Sequence, residues 1–198
     1  MQRLLPLLAW LACTAAAAAA ADESRYQKLT DQGALLPPHL GPWACIVDRQ
    51  TGLVWENKSD NEGTHLDAAT YSWFDAASST GKAKSGSCIN TKLQVIPCDS
   101  SDLIAQARRE SWCQRSDWRL PSTTELQGLL FDTGFIGNPR IATGFFPHTG
   151  RFPYWSADLR KNERSGYEAR LVHFGSGQSL WLPTSAAARI RLVAGPQR

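Results

Sequence analysis

A ten-residue stretch, Asp117-Trp118-Arg119-Leu120-Pro121-Ser122-Thr123-Thr124-Glu125-Leu126, places the tightest local constraint on the fold. Its first half alternates apolar and charged residues, which predicts a short strand with one buried face. Pro121 then ends the strand, because it has no backbone N–H to donate. The stretch therefore predicts a strand that passes directly into another element.

That next element is predicted to be a helix. Ser122 and Glu125 have the spacing of a capping box, in which each side chain accepts a hydrogen bond from a backbone N–H that the helix start leaves unpaired. Arg119 lies between two apolar residues before a tight turn, so we expect backbone carbonyls or a carboxylate to hold it. A strand joined to a helix in this way indicates an α+β domain.

The amino terminus has the features of a signal peptide. Arg3 supplies a positive start, residues 4–20 are apolar, and small residues near Ala21 offer a cleavage site. We expect residues 1–21 to be removed and the protein to be exported to the periplasm, the cell surface or the medium. Cys13 would be lipidated only through a poor lipobox, because Trp10 stands where Leu is expected.

Four cysteines remain after the predicted cleavage, an even number that indicates two disulfides in an exported chain. Three pairings are open. We favour Cys88–Cys98, which closes a local loop, and this leaves Cys45–Cys113. The spacings contain no Cys-x-x-Cys pair and no nearby His, so we expect neither a zinc site nor a redox-active thiol.

Charge is distributed unevenly along the chain. Residues 22–150 contain 12 Lys/Arg and 15 Asp/Glu, a net charge of −3, whereas residues 151–198 contain 8 Lys/Arg and 3 Asp/Glu, a net charge of +5. The carboxyl-terminal part is therefore a candidate basic face, although ordinary solvated surface charge is the simpler interpretation.

Periodicity and turn residues predict the remaining elements. Residues 22–42 are expected to be an extended lead-in with little structure, and the domain to span residues 43–195. Residues 44–47 and 53–56 should form a hairpin, and residues 64–77 and 101–112 should form helices. The last part should be all-β, with strands at residues 154–157, 169–174, 179–182 and 190–193.

No catalytic motif is visible, and His65, His148 and His173 are scattered without ligand spacing. The irregular segment 131–153 carries interleaved Phe residues that could fill a core or line a groove. We expect the Trp residues to form much of the core rather than bind a cofactor. We therefore expect no metal, no cofactor and no enzymatic activity.

Four sequence pieces in order resemble the Legionella collagen-like protein C-terminal domain family. They are Trp118-Arg119-Leu120-Pro121 with Glu125-Leu126, Val47-Asp48-Arg49-Gln50-Thr51-Gly52-Leu53-Val54-Trp55-Glu56, Tyr154-Trp155-Ser156, and Arg189-Ile190-Arg191-Leu192-Val193. The Arg-Leu-Pro-Ser turn also resembles formylglycine-generating enzymes and C-type lectin-like domains. The resemblance implies a C-type lectin-like scaffold with short helices on antiparallel strands. Formylglycine-generating enzymes use reactive cysteines late in the chain, and no cysteine follows Cys113 here, so the resemblance does not imply their activity.

The family's namesake is an adhesin whose terminal domain is associated with sulfated glycans. The resemblance therefore implies a non-enzymatic binding module that recognises acidic or sulfated glycans, with no nucleic acid partner. Candidate contacts are Arg160, Lys161, Arg164, Arg170, Arg189 and Arg191, the last two projecting to one face of the final strand. The alternative is an accessory subunit of a surface appendage that binds another envelope protein through segment 131–153 and its edge strands.

Overall fold

A computed structural model describes residues 24–60, 63–90, 92–131 and 138–196. The predicted signal peptide with Cys13, and Phe135 and Ile136 of the irregular segment, lie outside the described residues. Within the described ranges, no helix is both long enough and apolar enough to cross a membrane.

The centre of the fold is a five-stranded antiparallel sheet. The predicted hairpin is confirmed and pairs Cys45 with Glu56 and Asp48 with Leu53. The strand order is β12-β4-β3-β1-β2, so the last strand of the chain lies beside the hairpin. The strands are β1 (Tyr26–Leu29), β2 (Leu35–Leu36), β3 (Cys45–Asp48), β4 (Leu53–Glu56) and β12 (Val193–Ala194).

The prediction that residues 22–42 have little structure is wrong. β1 pairs with β3 along its whole length, and Tyr26 is buried against Phe145 and Phe146. The polar residues of the segment gave no sign of a strand, but Gln27 donates a hydrogen bond to the carbonyl of Leu36 on β2 and Lys28 donates one to the carbonyl of Pro38. The sheet therefore begins well before the expected start of the domain.

The helix predicted for residues 64–77 is also wrong. Ala69, Tyr71 and Trp73 are buried at every second position, and the backbone around them is bridged to Ser87 and Ala188. Ala69, Tyr71 and Trp73 fit a period of two, and bridges to distant segments override the helical pattern. Two small hairpins follow, formed by β5 (Phe74–Asp75) with β6 (Thr80–Gly81) and β7 (Gly86–Ile89) with β8 (Val95–Cys98).

In the described part of the chain, helices form where capping residues stand. The second predicted helix is confirmed as α1 (Ser100–Arg109), which Asp99 caps and which leads into a 3-10 turn at Trp112–Gln114. Helix α2 (Thr123–Gly128) begins with the predicted Ser122–Glu125 capping box. It packs against β9 (Pro153–Asn162) and β10 (Gly166–His173), so the Trp-Arg-Leu-Pro turn lies next to these strands.

Arg119 is held as predicted, with both terminal nitrogens donating to the Glu125 carboxylate at 2.8 and 2.7 Å and Nε donating to the carbonyl of Gly195. The strand predicted before Pro121 is reduced to one bridge between Arg119 and Val193. This short contact still ties the turn to β12, and Asp117 accepts a hydrogen bond from the Gly195 N–H.

A three-stranded antiparallel sheet forms the carboxyl-terminal part, in the order β11-β10-β9. The predicted strands are confirmed but longer, as β9 (Pro153–Asn162), β10 (Gly166–His173) and β11 (Ser179–Pro183). The strand predicted at residues 190–193 is wrong in its bounds, since only Val193–Ala194 pairs as a strand.

Aromatic side chains and two disulfides hold these layers together. Trp55, Trp118 and Trp155 are almost fully buried, which confirms the core role expected of them. Trp43, Trp112 and Trp181 are only partly buried, and Trp43 and Trp112 pack against the outside of the core. The favoured pairing is confirmed, with disulfides Cys45–Cys113 and Cys88–Cys98. The molecule is thus a disulfide-bonded α+β domain of small antiparallel sheets.

Candidate functional site

Four of the six candidate basic residues lie on the β9–β10 hairpin, which we call the basic hairpin: Arg160, Lys161, Arg164 and Arg170. The first three are exposed and lie in or beside the turn, whereas Arg170 is half-buried further along β10. The structure therefore brings these four predicted residues to one part of the second sheet.

Strand register decides which of these side chains share a face. Glu168 lies opposite Arg160, and Arg170 lies opposite Trp181 on β11. Arg160 donates from Nε and a terminal nitrogen to the same Glu168 oxygen, at 2.8 and 2.6 Å. The guanidinium carbons of Arg160 and Arg170 lie 4.6 and 5.7 Å from the centre of the Trp181 ring. This face therefore combines two guanidinium groups, one carboxylate and one indole.

The carboxylate on this face is stabilised in its charged form. Hydrogen bonds from Arg160 hold the pKa of Glu168 below its ordinary value. Arg170 donates to the hydroxyl of Ser179 at 2.8 Å and pairs with no carboxylate in the described part of the chain. Arg160 is consequently partly neutralised, whereas Arg170 keeps its charge available beside the indole.

The other two candidates lie elsewhere. Arg189 pairs with Asp67 at 3.0 Å and stacks over Phe152. Arg191 is fully buried and donates to the backbone carbonyl of Glu56 and to the hydroxyl of Thr149, at 2.6 and 2.7 Å. The prediction that Arg191 contacts an external ligand is wrong, because its charge is enclosed by the protein. Arg189 and Arg191 do not form a common surface with the basic hairpin.

A second charged region lies at the carboxyl end of β4, and it was not predicted from the sequence. Glu56, at the end of β4, is fully buried and accepts hydrogen bonds from Lys58 Nζ at 2.7 Å, His65 Nδ1 at 2.6 Å and the Leu192 N–H at 2.8 Å. We call Glu56, Lys58 and His65 the Glu56 cluster. The only sequence signal was the Glu56-x-Lys58 spacing, because His65 joins through the fold.

Electrostatics in the Glu56 cluster favour the charged forms of Glu56 and His65. Burial alone would raise the pKa of Glu56, but the charge of Lys58 and the contact with His65 outweigh it and lower the pKa to about 2. Burial alone would lower the pKa of His65, but its contacts with Glu110 and Glu56 outweigh it and raise the pKa. The pKa of Lys58 is lowered by burial. The cluster is therefore an enclosed ion group rather than a solvated one.

A pocket of about 700 Å³ opens beside this cluster. We call it the Trp43–Trp112 pocket. The His65 ring stacks on Trp112 with 4.0 Å between centres, and His65 Nε2 lies 3.6 Å from a Glu110 oxygen. The residues that define its chemistry are Trp43, Asn57, Lys58, His65, Glu110 and Trp112.

The remaining histidines and the Phe-rich segment have structural surroundings. His148 lies 4.0 Å from Asp60 at the surface, and His173 accepts hydrogen bonds from the Gly175 and Ser176 N–H groups of its own turn. Phe145 and Phe146 are buried, so this described part of segment 131–153 fills the core. Among the described residues, no group of three or more His, Cys, Asp or Glu has the arrangement of a metal site.

Fold and site together define a small, disulfide-bonded α+β domain with an exposed basic surface and an open pocket beside the Glu56 cluster. The sequence model of the Lcl C-terminal domain family matches residues 44–194, most of the chain. The chain belongs to this family, which confirms the resemblance seen in its four motifs. No curated protein and no solved structure matches the chain. The matched region excludes β1, although β1 lies inside the first sheet.

Proposed function

We propose that this protein is an exported, non-enzymatic binding module that recognises acidic or sulfated glycans through the basic hairpin. The observation that carries the proposal is the clustering of exposed Arg160, Lys161 and Arg164 at one hairpin, next to Arg170 and Trp181. Guanidinium groups match the geometry of sulfate and carboxylate oxygens through paired N–H donors, and an ammonium adds a point charge.

The position of the hairpin supports the same proposal. It projects from the edge of the second sheet, and its turn places three cations within five residues of sequence. Trp181 offers an apolar ring beside the two guanidinium groups, so it can cover the ring faces of a sugar whose substituents meet the cations. Membership of the Lcl C-terminal domain family agrees with this reading. A C-type lectin-like scaffold and an adhesin-like role at the bacterial cell surface belong to the same proposal.

Heparin-affinity binding of the oxidised domain lacking residues 1–21 tests this proposal. The variant Arg160→Gln/Lys161→Gln/Arg164→Gln should bind heparin at least about tenfold more weakly, because three charge-assisted contacts are removed. The matched control is Lys82→Gln/Lys92→Gln/Arg109→Gln, which removes the same charge from exposed positions elsewhere. An equal loss in both variants would show attraction by net charge alone and would contradict a dedicated site.

A second candidate function is an accessory subunit of a surface appendage. The observation that favours it is the exposed apolar tip of the β7–β8 hairpin, where Leu93 and Val95 are 59% and 70% exposed. Apolar groups exposed together often mark protein contacts. This function would be favoured by a stable complex with another envelope protein. The complex should be lost in Leu93→Ser/Val95→Ser and kept in Arg160→Gln/Lys161→Gln/Arg164→Gln.

A further inference from the structure

We propose that the Trp43–Trp112 pocket is a separate binding site for an uncharged, hydroxyl-rich ring such as a neutral saccharide unit. Its volume of about 700 Å³ lies within the range of small-molecule sites, about 300–1,000 Å³. None of the residues that line it belongs to β9, β10 or β11. The proposal is therefore independent of the basic hairpin and of the ligand suggested for it.

The pocket is held open by covalent structure. Trp43 lies two residues before Cys45, and Trp112 immediately precedes Cys113, so the Cys45–Cys113 disulfide ties the two aromatic walls together. The Trp43 indole N–H donates to the carbonyl of Phe145 at 2.8 Å, which fixes its orientation. A site whose walls are fixed before the ligand arrives loses less conformational freedom on binding.

Three enclosed polar atoms of residues that line the pocket have no hydrogen-bond partner among the described residues, although one of them, on His65, lies in an ion pair with Glu110. They are Asn57 Oδ1, His65 Nε2 and Trp112 Nε1, and all three residues line the pocket. Buried polar atoms in proteins are nearly always paired, so unpartnered ones beside a cavity indicate a ligand or water. The 3.6 Å separation of His65 Nε2 from Glu110 is just longer than a hydrogen bond.

The donor and acceptor character of these atoms selects the ligand. An indole N–H only donates, an amide oxygen only accepts, and a His nitrogen does either according to its protonation. A sulfate or carboxylate only accepts hydrogen bonds, and an ammonium only donates them. Hydroxyl groups do both, so among these classes only a hydroxyl-rich ligand satisfies all three atoms.

The charges around the pocket argue against ions of either sign. The carboxylates of Asp31 and Glu110 line it and repel anions. Both rings already face a cationic or ionisable group, since Lys28 Nζ lies 3.5 Å from the centre of the Trp43 ring and His65 stacks on Trp112. Lys58 is bonded to Glu56, so its charge is already matched. An uncharged ring that packs against indole is the class that remains.

Saturation-transfer NMR and tryptophan fluorescence on the oxidised protein would test this site. The probes are glucose, galactose, N-acetylglucosamine and cellobiose, with glucosamine and glucuronate as cationic and anionic counterparts. We expect saturable binding of at least one neutral probe and weaker binding of its charged counterparts. Failure of every neutral probe to bind, or preference for glucosamine or glucuronate, would overturn the proposal.

Trp112→Phe is the decisive variant, because it keeps an aromatic ring on His65 and removes an N–H that bonds nothing in the described protein. We expect about a tenfold loss of affinity for the neutral probe. Trp181→Phe is the matched control outside the pocket and should leave that affinity unchanged. If Trp112→Phe does not fold, Glu110→Gln at the partly exposed edge of the pocket replaces it, with a loss of about threefold.

Heparin binding separates this site from the proposed function. Trp112→Phe should keep heparin affinity, and the basic-hairpin triple variant should keep affinity for the neutral probe. Loss of both ligands in either variant would mean one shared site and would overturn the separation. A neutral probe that binds Trp112→Phe as tightly as the original protein would show that it binds elsewhere.

Discussion

The Glu56 cluster and the basic hairpin are both charged, but their charges face different surroundings. In the cluster, Glu56 and Lys58 are almost completely enclosed and bonded to each other. In the hairpin, Arg160 and Glu168 pair at 2.6 Å while the Arg160 side chain remains 48% exposed. Burial makes the first group part of the fold, and exposure leaves the second free to meet a ligand.

Arg191 shows why this difference matters for interpreting charge. In sequence it counts toward the positive carboxyl-terminal part as fully as Arg164 does. In the structure it is 0% exposed and hydrogen-bonded to Glu56 and Thr149, whereas Arg164 is exposed in a turn. A surplus of Lys and Arg therefore indicates a binding surface only after the enclosed members are removed from the count.

The largest expected effect comes from Glu56→Gln. The substitution keeps the shape of the side chain but leaves the buried Lys58 ammonium without a carboxylate. Removing one partner of a buried pair costs about 3–5 kcal/mol, so the free energy of unfolding in urea should fall by that amount. Glu163→Gln, at an exposed position, is the control and should change it little. A loss below about 1 kcal/mol would mean that the buried pair contributes little to stability.

The next expected effect is the pH dependence of the stability difference between the original protein and Glu56→Gln. The pKa of Glu56 is lowered to about 2, so its contribution is complete above its ordinary value of 4.5 and is lost as pH falls toward 2. The pKa of His65 is raised, so its contribution is complete below 6.5 and is lost as pH rises through the raised value.

Urea unfolding of the original protein and of Glu56→Gln at a series of pH values would measure this dependence. Their stability difference should be greatest between pH 4.5 and 6.5 and should shrink on both sides. Taking the difference removes the contributions of carboxylates outside the cluster, such as Asp117. A difference that stays constant down to pH 2 would contradict a charged Glu56.

The same contrast explains what the sequence could predict. The Ser122–Glu125 capping box, the β3–β4 hairpin and the disulfide pairing depend on residues that act locally or on parity, and all were predicted. The bridged segment at residues 70–72 was missed, because its isolated bridges reach residues as distant as Ala188. The apolar residues Ala69, Tyr71 and Trp73 have a period of two, but apolar residues of the same segment also fit a helical spacing.

The sites divide in the same way. The basic hairpin could be predicted because its charges are close in sequence and flank one turn. The Glu56 cluster and the Trp43–Trp112 pocket could not be predicted, because they join the segment before β3, the end of β4 with the loop that follows it, and the turn after α1. No spacing rule connects Glu56 to His65 and Trp112, since only the pairing of distant strands and the Cys45–Cys113 disulfide bring these segments together.

A smaller effect is expected from salt, which should weaken heparin binding by the basic hairpin but leave the stability contribution of the Glu56 cluster nearly unchanged. Between 0.1 and 1 M salt the Debye length falls from about 10 to about 3 Å. Heparin binding by the basic hairpin should weaken more than about tenfold over this range, because its charges are exposed to solvent. The stability difference between the original protein and Glu56→Gln should stay nearly constant, since enclosed pairs are screened much less. Equal salt sensitivity of both measurements would contradict the distinction between exposed charges in the basic hairpin and enclosed charges in the Glu56 cluster.

The smallest expected effect is a gain in heparin affinity. Glu168→Gln removes the carboxylate that binds Arg160 at 2.6 Å, so the guanidinium becomes available to a sulfate. Heparin affinity should rise by about two- to fivefold, a change of the size that an exposed pair produces. Glu163→Gln is the matched control, because it removes the same charge from the adjacent turn and makes no ion pair within the described ranges. A larger gain in Glu168→Gln than in Glu163→Gln would show that release of Arg160 strengthens binding. Equal gains would mean that heparin responds to the total charge of the hairpin and that the Arg160–Glu168 pair does not limit it.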